Sequence, residues 1–486
     1  MGLVSNAVLD QVAAEERIRQ ENIARAWRYY YGQMPQPLKV RKGQPDDNIR
    51  LNMCRPIVDK GVSFLFGQEI EIQVDPNEAD TEPPEGTEAD APATPDEWLE
   101  KTWQQNGWLG TLSSFATMGG VTGHVFVRLM LPTARAPYPR LVLWDTGNVS
   151  VITDPEDYQH VVQYTNQWNA IDPDTGKPIV RRQMIFERAG GLSWLIRDEV
   201  SRADNARWQL ISESAWPFPW PPVFHCQNLP APNVFFGVSD LESDILAVND
   251  GMNFIMSNMA RIIRFHAHPR LWGRGFTSQT LDMAIDGITI LPSANAELKA
   301  LEMQSDLGSS LTYYTRIKEA LHEMSRIPEI ASGKLEGAGA FSGVALAILY
   351  QPLLEKTETK RRLYGCMIKD ICARLLEIGG QGAEHEICIH WPKLLPSDPK
   401  ADAETLTTES ALGVVSKRTT AEKLGYDYDT EIARMEEEAQ AAAEKAQQMF
   451  DRGLMPNGSP MPMPMPMPNN GQAGQGNGQA DNRQAA

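Results

Sequence analysis

The residues best spaced for chemistry are His385-x-x-Cys388-x-His390, which could supply three zinc ligands from imidazole nitrogens and a thiolate. Cys388 sits in Glu386-Ile-Cys-Ile-His390, where apolar residues alternate, so the same pattern reads as a strand carrying a buried structural thiol. His266 and His268 precede Pro269 at the expected end of a helix, where partial positive charge suits the C-terminal dipole. The glycine-rich stretch Ser332-Gly-Lys-Leu-Glu-Gly-Ala-Gly-Ala340 has Lys334 as its sole cation. It lacks the upstream glycine of a P-loop, and Gly337, Gly339 and Gly343 are wrongly spaced for a dinucleotide fingerprint. It reads as a conformational element rather than a nucleotide cradle. Neither HExxH nor G-x-S-x-G occurs. Arg261 and Arg264 form a short cationic stripe, while Glu436-Glu-Glu438 reads as a solvated helix face. No catalytic residue, metal or cofactor is assigned from these patterns.

The elements that must position these residues follow from periodicity. Residues 15–31 read as a helix ended by Gly32, and Asn52 to Phe66 as a second, closed by Gly67. Glu69 to Val74 alternates as a half-buried strand. Trp98 to Trp108 reads as helix, and Gly119-Gly120 as a break. Strands are expected at 125–131, 141–144, 149–152, 161–164 and 194–196, with a turn at Asp172-Pro-Asp-Thr-Gly176. Ser239 is the expected N-cap of a long helix, with Glu242 completing a capping box. That helix covers Leu241 to Phe265 and is followed by partly strand-like residues 270–300, including 287–291. Leu307 to Ile327 forms another helix. The longest runs from Ser342 to Ile378, with Pro352 expected to kink it and Glu355 to Arg362 polar all round. At ~1.5 Å per residue it spans roughly 55 Å, too long for one compact domain. Helices are expected again at 401–413 and 420–450, before a Met-Pro tail read as low complexity.

Composition narrows the classes. The chain has 486 residues, 42% hydrophobic and 22% charged, so most of it can bury a core. No stretch approaches a membrane span, and the first twenty residues lack the apolar core of a signal peptide. Five scattered cysteines argue for a reducing compartment without a disulfide framework. The net charge of −18 opposes tight gripping of a polyanion by general charge neutralisation. Residues 75–97 hold nine acids, five prolines and no base, the composition of a solvated loop or disordered insert.

The order of several short motifs resembles the tailed-bacteriophage portal proteins of the SPP1 type. They are Tyr29-Tyr-Tyr-Gly32, Asn52, Pro56-Ile-Val-Asp59 and Phe64-Leu-Phe-Gly67, then Pro222-Val-Phe-His-Cys-Gln-Asn228 and Phe236-Gly-Val-Ser-Asp-Leu-Glu242. Asn249-Asp250, Asn253, Ser257 and Ser342-Gly-Val-Ala-Leu346 follow, then Trp391-Pro, Leu395-Pro-Ser-Asp398, Val415-Ser-Lys-Arg-Thr419 and Asp429-Thr-Glu431. The resemblance covers about residues 15–450. Only the acidic segment 75–97 and the Met-Pro tail depart from it.

The resemblance implies a predominantly α fold with an α+β wing: a portal fold of wing, stem helices, clip and crown that closes into a ring. On that reading the wing is 1–238 with 342–397, the stem 239–268 and 307–327, and the clip 269–306. The tunnel loop is 328–341, the crown 398–450, and 451–486 a disordered tail. It further implies a dodecameric head-tail connector at one capsid vertex of the virion, assembled in the host cytoplasm without membrane. Double-stranded DNA would pass through it during packaging and ejection. Its partners would be the terminase large subunit, the major capsid or scaffolding protein and a head-tail adaptor. Gly333, Lys334, Gly337 and Gly339 are then the candidate DNA-channel residues, and Arg261 and Arg264 the candidate stem residues. Two other classes remain open from the residues: another structural virion protein, such as a minor head or adaptor protein, and a metal-dependent hydrolase using His385, Cys388 and His390.

Overall fold

The computed structural model describes residues 6–43, 45–75, 94–188, 193–202, 205–267, 270–274, 295, 297–301, 307–332, 343–382, 385–395, 406–413, 415–423, 428, 430–436 and 439–440. The chain divides into two units, Met1–Pro396 and Ser397–Ala486. In the second, residues 406–411 are helical inside the stretch 401–413 read as helix, and Lys417–Lys423 is helical from three residues before the stretch read as starting at 420. The tail and residues 441–450 lie outside the described residues.

The first unit opens with α1 (Asn6–Tyr30) and α2 (Cys54–Phe66), then β1 (Glu71–Asp75). Next come α3 (Pro95–Gln105) and α4 (Trp108–Thr122). Trp108 therefore begins a helix rather than ending one, and Gly119-Gly120 lies inside α4 instead of breaking the chain. The reason is close packing. A Cβ on Gly119 would stand 1.9 Å from the Tyr364 hydroxyl, and one on Gly120 3.0 Å from Val58 and 3.1 Å from the Asp240 carboxylate. The chain turns three residues later at Gly123, whose φ of +85° suits glycine.

Two antiparallel sheets follow. β2 (His124–Met130) is flanked by β3 (Arg140–Trp144) and β9 (Val223–Gln227). The second sheet is a meander of β4 (Val149–Thr153), β5 (Val161–Ile171), β6 (Pro178–Glu187), β7 (Trp194–Arg202) and β8 (Asn205–Ala215). β6, β8 and β9 are additions to the sequence reading, and β5 and β7 run well beyond their expected ends. Their added residues mix polar and apolar side chains of varied exposure, and cross-strand pairs such as Arg197–Glu213 and Arg202–Asp172 join them without a regular alternating apolar face. The β5–β6 turn forms where Asp172-Pro-Asp-Thr-Gly176 predicts it, with Gly176 at φ +67°.

Three long helices complete the unit: α5 (Ser243–Ala267), α6 (Leu307–Ser325) and α7 (Gly343–Ile378). Between α5 and α6, β10 (Arg270–Arg274) pairs with β11 (Glu297–Leu301), and β12 (Glu386–His390) pairs with β1. The expected strand at 287–291 lies outside the described residues. α7 stays helical through Pro352 and links two apolar cores. Leu353 belongs to a core built by α1, α2, α5 and α6, including Tyr29, Ile57, Met252 and Leu321. Tyr364, Ile368, Ile371 and Leu375 belong to another with Trp103, Phe115, Phe126 and Ile185.

Candidate functional site: a polar seam along the long helices

The segment of α7 between the two cores is the polar run, and much of it is buried. Lys356, Thr357, Lys360 and Arg361 are each less than a tenth exposed. Such burial is tolerable only with matched partners. Asp240, just before α5, supplies the match: Lys360 Nζ donates to its Oδ2 at 2.6 Å, and Lys356 Nζ lies 3.0 Å from its Oδ1. Lys356 also donates to the Ser325 carbonyl at 3.0 Å, on the last residue of α6. One carboxylate and two ammonium groups thus tie the start of α5, the end of α6 and the middle of α7 together. Burial alone would raise the Asp240 carboxyl, but the two lysines and their hydrogen bonds hold it at about 2. Burial lowers the Lys360 ammonium against the pull of Asp240.

The surroundings are built to fit. Asn228 Nδ2 donates to Asp240 Oδ1 at 3.3 Å, and the Tyr364 hydroxyl donates to Asn228 Oδ1 at 3.3 Å. The Asp240 N–H donates to the Gly120 carbonyl at 2.8 Å. Ser239 does not cap α5, which starts at Ser243. Its hydroxyl lies within hydrogen-bond reach of the Gly120 and Val121 carbonyls at the end of α4 and accepts from the Leu241 N–H. Ser239 thus satisfies carbonyls at a helix C-terminus rather than donors at an N-terminus.

A second seam runs down α5. Asn249 Oδ1 accepts from the Met53 N–H, Asn253 Oδ1 from the Leu51 N–H, and Ser257 Oγ from the Ile49 N–H, at 3.1, 2.8 and 2.9 Å. Four residues of helix rise ~6 Å and two of extended chain ~6.6 Å, so every fourth helical residue meets every second residue of 49–53. The next step brings Arg261 to Asp47 at 3.6 Å, with Arg264 donating to the same carboxylate at 2.7 Å. Tyr29 and Tyr30 donate to Asp250 and Asp59, and Asn52 Oδ1 accepts from the first N–H groups of α2.

A cavity of about 850 Å³ lies where β9, the loop after it and α7 meet. His124 and His225 stack there with centroids 5.4 Å apart, beside Phe126 and Phe235. Neither His124 ring nitrogen has a hydrogen-bond partner among the described residues. Burial pushes His225 down to about 4, and burial, His225 and Arg19 push His124 down as well. Asp370 lines the same cavity with its carboxyl raised by burial.

Of the residues singled out by sequence, Arg261 and Arg264 meet at Asp47, while Gly333, Lys334, Gly337 and Gly339 lie outside the described residues. The zinc pattern does not assemble. His385 Nε2 lies 2.6 Å from the Gln381 carbonyl and His390 Nε2 3.2 Å from Gln73 Oε1. Among the described residues no group of three or more His, Cys, Asp or Glu side chains could hold a metal ion. Asp240, Lys356 and Lys360 were not singled out by the sequence. The two lysines lie inside the run Glu355 to Arg362, polar all round, so nothing local set them apart.

The residues of these seams are largely those of the motifs quoted above, and the comparison with protein families agrees. Residues 10–445 match the family described as phage portal protein, SPP1 Gp6-like. The chain belongs to that family. Two solved structures are similar to this portal-family protein. One is the neck of an empty GTA particle computed with C6 symmetry, with TM-score 0.44 and 13% identity over 76% of this chain and 90% of that one. The other is the virion of a native gene transfer agent (GTA) particle, with TM-score 0.41 and 11% identity over the same shares. A comparison with curated proteins returns no match. Among the described residues, no helix of this portal-family protein is long and apolar enough to cross a membrane.

Proposed function

We propose that the chain is the head-tail connector of a tailed-phage particle, twelve copies forming a ring at one capsid vertex. DNA enters through it during packaging and leaves during ejection, and it docks the terminase large subunit, the capsid or scaffolding protein and a tail adaptor. The observation that carries this reading is the family match over residues 10–445. The seams support it physically. A ring of identical heterologous contacts requires each copy to hold its long helices in one fixed arrangement. The Asp240 cluster and the α5 ladder fix α5, α6 and α7 by directional buried bonds.

In this reading α5 and α6 are the stem, residues 269–306 the clip, and 398–450 the crown. Residues 328–341 are the tunnel loop, in which Lys334, flanked by Gly333, Gly337 and Gly339, touches the DNA backbone. Arg261 and Arg264, both paired with Asp47, brace the stem against residues 47–53. The acidic balance of the chain lets a polyanion slide rather than stick. The test is packaging into procapsids that carry the Lys334→Ala chain. The reading expects slower or shorter packaging with the ring intact, and unchanged rate and length would remove Lys334 from the DNA path. Labelling of the chain at many capsid vertices rather than one would overturn the connector role itself.

A further inference from the structure

A groove of about 250 Å³ lies between β1, α3 and the start of α4, away from the seams. Its floor is apolar: Leu99 and Trp103 are almost fully buried there, and Ile72 and Trp108 are partly so. The two indoles meet edge to face with centroids 5.4 Å apart. Trp103 is fixed from behind by its Nε1–H, which donates to the Cys372 sulfur of α7 at 3.4 Å. Trp108 is held at a φ of +35°, and its Nε1–H donates to Glu69 Oε1 at 3.0 Å.

The rim is acidic, with no counter-charge among the described residues. Glu69, Asp96 and Glu100 all line the groove. Their described hydrogen-bond partners are neutral: the Trp108 indole, the Val74 N–H and the Gln104 amide. Among the described residues none of the three forms an ion pair, and the nearby Lys101 pairs instead with Glu97 at 3.6 Å. β1 ends at Asp75 and α3 begins at Pro95, so the base-free run with nine acids in 75–97 starts and ends beside this groove.

We propose that this groove docks a segment of a partner protein bearing arginine or lysine, one cationic side chain entering between the indoles and the three carboxylates. Charge complementarity selects the sign, because nothing described balances the rim. The partly exposed Trp108 indole selects an organic cation, since ammonium and guanidinium groups are attracted to aromatic faces while their alkyl stems cover apolar surface. The carboxylates do not form a group that could hold a metal ion. This surface goes beyond the connector reading and does not depend on ring closure.

The probe is a short fluorescein-labelled peptide alternating arginine and leucine, titrated by anisotropy with the full-length protein at physiological salt. The expected result is saturable binding that weakens ~threefold or more in Glu69→Gln/Glu100→Gln and in Trp108→Ala, since a cation contact at an exposed aromatic site is worth about that much. A charge-matched control, Glu21→Gln/Glu319→Gln, should change it less than about twofold, as distant surface charges are screened. Both glutamates of the groove are exposed, so their amide variants keep the fold even if Trp108→Ala does not. Four results would overturn the proposal. They are no saturable binding, equal losses in the groove and control variants, equal binding of a citrulline peptide of the same sequence, and displacement by spermidine at the peptide's own concentration.

Discussion

Replacing Asp240 with asparagine leaves two ammonium groups facing each other, with lysine side chains only 6% and 5% exposed. Removing one member of a buried pair costs about 3–5 kcal/mol, because the remaining charge loses its partner but stays out of water. The pKa of Asp240 gives a second measure. A carboxyl held at about 2 against an ordinary 3.8 is stabilised as the anion by roughly 2 kcal/mol. The expected loss for Asp240→Asn therefore lies at ~2–5 kcal/mol. Lys360→Met should cost far less, about 1 kcal/mol or below, because it leaves one ammonium for one carboxylate and removes the charge that burial already disfavours. Replacing all three residues by Leu or Met should be nearly neutral or stabilising. Urea unfolding of the four proteins in one assembly state, followed by tryptophan fluorescence, gives the order. Equal losses for Asp240→Asn and Lys360→Met would refute the claim that one carboxylate balances the cluster.

Other expectations follow from the same structure. The His225 imidazole is neutral in the fold with a pKa of about 4, against 6.5 in the unfolded chain. On acidification the unfolded chain takes up the proton first, so this contribution is complete above pH 6.5 and lost between 6.5 and 4. It amounts to about 3 kcal/mol, and His225→Phe should flatten the slope of unfolding free energy against pH in that window. Gly119→Ala should destabilise by more than ~1 kcal/mol despite alanine's better helix propensity. Adding Tyr364→Phe should recover part of that loss, because the nearest ring carbon then lies 3.2 Å from the new methyl. Asn253→Ala should orphan the Leu51 N–H at a cost of ~1–3 kcal/mol and raise hydrogen exchange at residues 49–53.

The helices that end at glycine were legible because periodicity and terminator agree: Tyr30 before Gly32, Phe66 before Gly67. Gly119-Gly120 misled because a glycine pair marks either a break or a close approach, and only the position of Tyr364 decides between them. The outer halves of β5 to β8 escaped because polar residues dominate them, with Asn166, Ile179 and Val200 buried while Ile171 and Leu210 are exposed, which breaks the apolar alternation. Glu355 to Arg362 is polar all round, a pattern that points to no buried face. Its burial depends on Asp240, more than a hundred residues away, which no local pattern reports. The α5 ladder did leave a trace, in the four-residue spacing of Asn249, Asn253, Ser257 and Arg261 along the helix.

Self-association into a closed ring is the claim on which the proposed role rests, and native mass spectrometry of the purified full-length chain tests it most directly. Twelve chains of 54.1 kDa give a particle of about 649 kDa. A dominant species at that mass supports the connector. A chain that stays monomeric at every concentration, and also when produced together with procapsids, contradicts it.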